Sequence, residues 1–450
     1  MEGTKYTTKE AVLKRGQEAI GIPLKEIDKT GRLATGKGAI GTVIEESWFG
    51  YSVNSESEPD FPEAGVELKV TPYLIGRNGE KRAKERLVCN IINYMEEYDK
   101  TFKTSSFWHK CETMLLMSYE HIKDVPKGEF KIDKAVLFSF PMEDLVIIER
   151  DWNIIMEKVR QGEAHLISEG DTMYLAACTK GANASSVRQQ PCSTIMAKQR
   201  AYSLKSSYMT QILNQYIFGN ATNERIVTDW KQLQKHSFED IIVEKLRPYF
   251  GQTQGQLKTH FAAEGNAKNL NEVLLAKMLG IRGKIAYTDE FQKACIVPKT
   301  IRVQINSKIR ESMSFPTFDF IKLSKETEWE ESELYNYLAP TKFLFVIFQE
   351  NDNGEYVFER VKFWNIPNDD LDEVQRVWER TVKTIREGVK LEVTPNGVKN
   401  DLPKQSESAV AHVRPHGRDS SDKLPLPDGR MMTKQCFWLN NSYIENQIKE

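Results

Sequence analysis

A chain of 450 residues exceeds one ordinary hydrophobic core and suits two domains. With 62 Lys and Arg against 64 Asp and Glu the formal net charge is −2, so no global field gathers polyanions and any nucleic-acid affinity must come from local patches. No signal-peptide core opens the chain, and no apolar run approaches the roughly 18 residues of a membrane helix, so a cytoplasmic protein without membrane attachment is expected.

AIGTVIEESWF (39–49) places Ile40, Val43, Ile44 and Trp48 at one-face spacing and predicts a buried helix. GVELKVTPY (65–73) alternates Val66, Leu68 and Val70 with Glu67 and Lys69, the period of a half-buried strand. GRNGEK is a turn, RLVCNIINY a second strand, AVLFSF a third, and DLVIIERDWNIIMEKVRQG a helix. The expected fold class is α/β (α+β), a mixed sheet flanked by helices.

The pattern recurs. At an offset of 230, Phe61, Ala64, Lys69 and Gly50 fall on Phe291, Ala294, Lys299 and Gly280. Trp152 and Gly162 fall on Trp378 and Gly388, and Leu204 and Tyr208 on Leu439 and Tyr443. A duplication follows, with domains expected at 1–220 and 233–450 and a linker at 221–232.

Chemistry concentrates in the first copy. Glu67 and Lys69 share one strand face, and Asp60 stands at the strand's mouth. Two carboxylates hold a hard cation that keeps several waters, while the ammonium sits near the attacking water and the scissile phosphate, as Mg²⁺-dependent phosphodiester hydrolysis requires. Asp124, Glu129 and Lys131 show a similar spacing inside a Pro/Gly loop with no alternating strand to converge them. In the second copy Asp60 becomes Glu290, Glu67 becomes Val297, and Glu45 and Glu46 become Leu275 and Ala276, while Lys299 survives. An active centre kept once and lost once explains this better than a salt bridge does. The six cysteines form no C-x-x-C pair, and the seven histidines lack ligand spacing, so neither zinc nor disulfides are expected.

Between Asp171 and Glu224 lie 52 residues without one acid, where the chain average predicts about seven. That stretch carries Lys180, Asn183, Arg188, Lys198, Arg200, Tyr202 and Lys205, candidates for phosphate and base-edge contacts.

Taken as a set, GTVIEESWFG, EPDFPEAGVELKVTPY, KERLVCNIINY, KTSSFWHK, YLAACTKGANASSVRQQP and AYSLKSSYMTQIL resemble the MutH-like nucleases of the PD-(D/E)xK superfamily, most closely the Sau-type restriction endonucleases that cut at GATC. The resemblance implies a bacterial, Mg²⁺-dependent type II endonuclease that cuts double-stranded DNA before the G of 5′-GATC. It maps the metal ligands onto Asp60 and Glu67, the catalytic lysine onto Lys69, and a further DNA-facing lysine onto Lys110. The helix glutamate falls on Glu45 by the spacing from Gly41 and on Glu46 by the step to Trp48, Glu45 being preferred. Cys178 stands where the mismatch-repair member has an arginine, and Ser203 where it has a tyrosine, so hemimethylation sensing does not carry over. The second copy's HVRPHGRDSSD keeps Arg414, His416 and Arg418 as candidate DNA contacts of a catalytically silent effector or dimerisation domain. Self-association on DNA is expected, without an obligatory protein partner. The rival readings are a nicking enzyme of mismatch repair and a sequence-specific DNA-binding protein without catalysis.

Overall fold

The structure is a computed structural model, and it describes residues 6–449 apart from 35, 37, 53–57, 77, 182–184, 264–268 and 396. The chain forms two units, Met1–Phe238 with Gly283–Ile296, and Glu239–Arg282 with Val297–Glu450. It thus leaves the first unit, enters the second, and returns once before its last crossing.

In the first unit, β1 (Glu67–Ile75), β2 (Lys81–Ala83), β3 (Leu87–Ile91), β4 (Met114–Glu120) and β5 (Ile132–Phe138) are followed by the helix Met142–Arg160. The main sheet runs β2-β1-β4-β5, with β1 and β4 parallel and Glu67 opposite Met114. The expected AVLFSF strand is β5, but the sequence reading passed over β4. Its first six residues, MLLMSY, are all buried, as in a strand covered on both faces, so no polar alternation marks it. RLVCNIINY does become a strand, β3, but it joins a second sheet. There β6 (Leu175–Thr179) and β9 (Arg200–Leu204) complete an antiparallel β3-β9-β6 order, and β7 (Val187–Arg188) pairs with β8 (Ala197–Lys198) as a small hairpin.

The Met142–Arg160 helix follows Pro141, carries Glu143 and Asp144 in its first turn and Lys158 and Arg160 in its last, and so opposes its own dipole at both ends. Ile148, Trp152, Ile155 and Val159 bury its core face. Gly162, at φ 75, turns the chain out of the helix where a Cβ would come within 2.9 Å of the Cys192 carbonyl. Inside the helix, the buried Asp151 carboxylate accepts from the N–H groups of Met173, Tyr174 and Leu175 at 2.8, 2.6 and 3.0 Å, fixing the start of β6. Burial pushes that carboxyl up to about 6 against those three bonds.

The returning segment carries the helix Asp289–Ala294, which ends in Cys295 at φ 56. Lys293, fully buried, donates to both Asp144 oxygens at 2.8 and 2.9 Å and lies 2.9 Å from Asp289. Arg225 pairs with Glu143 and Asp289 at 3.0 and 3.3 Å, and the Tyr208 hydroxyl donates to Asp144 at 3.0 Å. Glu290, aligned with Asp60 by sequence, accepts instead from the Ile226 and Val227 N–H groups.

The second unit uses β10 (Ile296–Val303), β11 (Met313–Thr317), β12 (Lys342–Glu350) and β13 (Tyr356–Trp364), followed by the helix Asn368–Glu387 between Pro367 and Gly388. Hairpin β14 (Leu391–Thr394) and β15 (Gly397–Asn400), then β16 (Ala411–Pro415), β17 (Lys423–Pro425), β18 (Met431–Thr433) and β19 (Gln435–Leu439) complete it. Its sheets run β10-β12-β13 and β11-β19-β16. A core around Phe343, Phe345, Trp364 and Trp378 joins them to the long helix. Tyr443 donates to Asp370 at 2.6 Å. Among the described residues no helix is long and apolar enough to cross a membrane.

Candidate active site

The helix Ala39–Val43 continues as a π-helical turn, Ile44–Phe49, and this wider turn carries both acids the sequence left open. Arg32 holds Glu46 at 2.7 Å near the surface. Glu45 faces the opposite company: burial, Asp60 and Glu67 together push its carboxyl up to about 7, with Lys110 pulling the other way. Phe49 packs on Phe61 with centroids 4.8 Å apart, tying the π turn to the segment that carries Asp60.

Asp60 precedes a tight turn closed by the Phe61 N–H on the Val66 carbonyl at 2.9 Å. Its own N–H donates to Glu67 Oε2 at 3.2 Å, and its Oδ2 accepts from the Leu68 N–H at 2.9 Å. The two carboxylates are thereby locked together through backbone at the start of β1. Lys69 Nζ reaches Glu67 Oε1 at 2.7 Å and the Cys89 carbonyl at 3.2 Å. Lys110 comes from the helix Ser106–Cys111, capped by Ser105 through the Trp108 N–H at 3.1 Å, and stands 3.7 Å from the same Glu67 oxygen. The sequence reading had grouped Lys110 with the DNA contacts; the fold puts it beside the carboxylates.

Burial pushes Glu67 above the carboxylate range, and Lys69 and Lys110 oppose that while Asp60 adds to it. Burial also works against the Lys69 ammonium, but Glu67 together with the Cys111 and Cys89 thiols raises it above its ordinary value. Among the described residues no three His, Cys, Asp or Glu close on one point as a ready metal cage. Asp60 and Glu67 supply instead a hard oxygen pair, which fits a small divalent cation that binds one or two carboxylates and keeps its waters. Asp124, Glu129 and Lys131 do not converge this way: Glu129 is spent on Lys25 at 2.9 Å, with both side chains in solvent.

The acid-free segment divides. Lys180 and Lys198 are exposed, and Arg188, half-buried in the hairpin, has a buried Nε without a hydrogen-bond partner among the described residues. Asn183 lies outside the described residues. Arg200, Tyr202 and Lys205 correct the sequence reading, for all three point inward. Arg200 binds the Ala177 and Ile167 carbonyls, Tyr202 donates to Glu97 at 3.4 Å, and Lys205 donates to the Thr172 carbonyl at 2.6 Å. Each would have to break a buried bond to touch DNA. Gln190, from the QQP run, is likewise buried, and it ties Ala164 to Ile195. In the second unit Arg414 lies 4.6 Å over the Trp438 ring, His416 meets its edge at 5.1 Å, and exposed Arg418 sits 3.3 Å from Asp419.

One titration tests the placement of Glu45. A carboxyl at about 7 in the fold, against an ordinary 4.5, stabilises the protein fully below about 4.5 and loses that contribution as pH rises through 7. In chelator, the wild-type melting temperature should therefore fall between pH 5 and 7.5 more steeply than that of Glu45→Gln. Glu46→Gln should follow wild type, and a divalent cation should recover the loss at pH 7.5. Parallel profiles for wild type and Glu45→Gln would remove Glu45 from the cluster.

Comparison with known proteins bears on the same elements. A family model described as the DNA mismatch repair enzyme MutH matches residues 49–151, which include Asp60, Glu67, Lys69 and Lys110. The type II restriction enzyme Sau3AI of Staphylococcus aureus is 41% identical over 99% of this chain and 99% of its own length. The DNA mismatch repair protein MutH of Shewanella woodyi is 28% identical over 46% of this chain and 91% of its own, and that of Shewanella amazonensis 30% over 40% and 79%.

Proposed function

This chain belongs to the MutH-like family of type II restriction endonucleases, and from that premise we propose that it makes Mg²⁺-dependent double-strand cuts before the G of 5′-GATC, its first unit cutting and its second a silent copy that binds DNA or dimerises. The carrying observation is the contrast between two lysines. Lys69 stands 2.7 Å from Glu67, with Asp60 bonded alongside, whereas on β10 the aligned Lys299 has Val297 in place of the glutamate.

Duplication is supported by bonds repeated at the sequence offsets. Tyr208 with Asp144 matches Tyr443 with Asp370, and Phe102 against Trp152 matches Trp329 against Trp378. The sheets β3-β9-β6 and β11-β19-β16 also correspond strand for strand. This supports a nuclease domain and a degenerate copy, the second sending one helix back to the first.

Mg²⁺ held by Asp60 and Glu67 would neutralise charge on the scissile phosphate and act as a Lewis acid toward it. Lys69, 2.7 Å from Glu67, would orient or deprotonate the attacking water. Lys110 adds a second positive charge on the same side, and Glu45 completes the acidic wall. Exposed Lys180 and Lys198, with Arg188, provide the groove and backbone contacts that read GATC, each good base contact discriminating by about 1–3 kcal/mol. GATC itself rests on the resemblance to the Sau-type enzymes.

One intact centre per chain leaves one strand of a palindrome uncut unless a second chain joins. Plasmids with two GATC sites should therefore be cut faster than one-site plasmids at equal site concentration, and a GATC oligonucleotide should rescue the slow substrate. No Mg²⁺-dependent linearisation at GATC would overturn the nuclease assignment. Equal rates without rescue would leave the second unit a structural remnant.

A further inference from the structure

Lys299 is the residue whose surroundings the proposed function leaves unexplained. Its Nζ donates to the Ser314 carbonyl on β11 at 3.0 Å, as Lys69 donates to the Cys89 carbonyl on β3. The reach of the side chain is thus kept while its counter-charge is gone. Val297 packs against the core two residues earlier, and the helix Glu333–Leu338, capped by Ser332 as its counterpart is by Ser105, has no lysine. Burial pulls the Lys299 ammonium below its ordinary range; the Cys436 thiol acts the other way, and no carboxylate contributes. A half-buried cation without an acid costs stability that a methionine of similar length would not.

A further cation lies on the neighbouring strands of the same sheet as Ser314. Ser314 pairs across the sheet with Trp438, whose ring carries Arg414 on its face and His416 at its edge. Among the described residues no carboxylate supplies the missing negative charge, which leaves room for an anionic ligand. In the first unit the matching spot holds three acids, Glu45, Asp60 and Glu67, against two lysines, so a phosphate is repelled there until a divalent cation enters. The second has no such requirement. Resting on the reading of the second unit as a DNA-binding copy, we propose that Lys299 seats a DNA backbone phosphodiester directly, making this unit's DNA binding independent of metal.

The test uses the full chain in EDTA, where nothing is cut, and follows a GATC duplex by fluorescence anisotropy across a salt titration. Wild type should bind, and Lys299→Met should lose affinity by about tenfold and lower the salt slope by about one. Lys299→Gln keeps a donor for the Ser314 carbonyl without the charge and should show the same loss, Lys299→Arg should restore binding, and Lys131→Met, an exposed lysine of the look-alike loop, should bind as wild type does. Both neutral variants should melt no lower than wild type, which separates a lost contact from a lost fold. Failure of wild type to bind in EDTA, or unchanged affinity and slope in Lys299→Met and Lys299→Gln, overturns the proposal. Competition by inorganic phosphate beyond its effect on ionic strength would make this a free-phosphate site and equally overturn it. If binding persists in the Lys299 variants but falls with Arg414→Ala, the second unit still binds DNA and only the lysine is misassigned. If it falls with Lys180→Ala alone, the reading of the second unit fails as well.

Discussion

Glu67→Gln should reduce GATC cleavage by about 10³-fold or more, because a metal ligand contributes several kcal/mol to the reaction barrier and each 1.36 kcal/mol is tenfold. Glutamine is the informative replacement. Glu67 is 2 % exposed and partners Lys69 and Lys110 while accepting from the Asp60 N–H, so alanine would leave two lysines uncompensated and confuse instability with lost chemistry. The amide keeps the volume and one acceptor oxygen but loses the charge. Binding of a GATC duplex, measured without turnover, should stay within a few-fold of wild type. Asp60→Asn should behave alike, and Glu129→Gln, in the look-alike loop, should cut at the wild-type rate. Wild-type cleavage by Glu67→Gln would place the active site elsewhere.

The second large effect is on folding. Lys293→Ala should destabilise the first unit by about 3–5 kcal/mol, the cost of leaving buried charges without their partner. Lys293 is fully enclosed, and its ammonium is the shared partner of Asp144 and Asp289. Urea unfolding should show an earlier first-unit transition and an unchanged second-unit transition. Adding Asp144→Asn and Asp289→Asn should recover part of the loss, since the uncompensated negative charges go with them. A Lys293→Ala midpoint equal to wild type would show that water or relaxation screens the cluster.

These predictions mark where the sequence was legible. β1 was readable because one of its faces is polar, so Glu67 and Lys69 interrupt Val66, Leu68 and Val70 at period two. β4, its parallel neighbour, was not, because burial on both faces erases the alternation that identifies a strand. The uncertainty between Glu45 and Glu46 also had a physical source. A count forward from Gly41 and a count back from Trp48 disagree by one residue when the intervening turn is π rather than α. The acid-free stretch put Lys180 and Lys198, which are exposed, in one group of DNA-contact candidates with Arg200, Tyr202 and Lys205, which are buried. Composition reports how many cations a segment has and nothing about direction, and every residue of β9 is buried. Alignment of the two copies matched residues with residues, yet it could not say that the helix containing Glu290 and Lys293 would fold into the first unit.

That returning helix sets an order of events during synthesis. The first unit ends its continuous stretch at Phe238, but its buried ammonium arrives with Lys293, inside a segment that closes at Ile296. At translation rates of about 5–20 residues per second, the first unit waits on the ribosome for roughly 3–12 s with Asp144 still lacking its cation. In that interval Glu239–Arg282, which belongs to the second unit, is already being made. The first unit therefore cannot be finished as an independent N-terminal product, and a nascent chain released before residue 293 carries Asp60, Glu67 and Lys69 without the charge that closes the fold behind them.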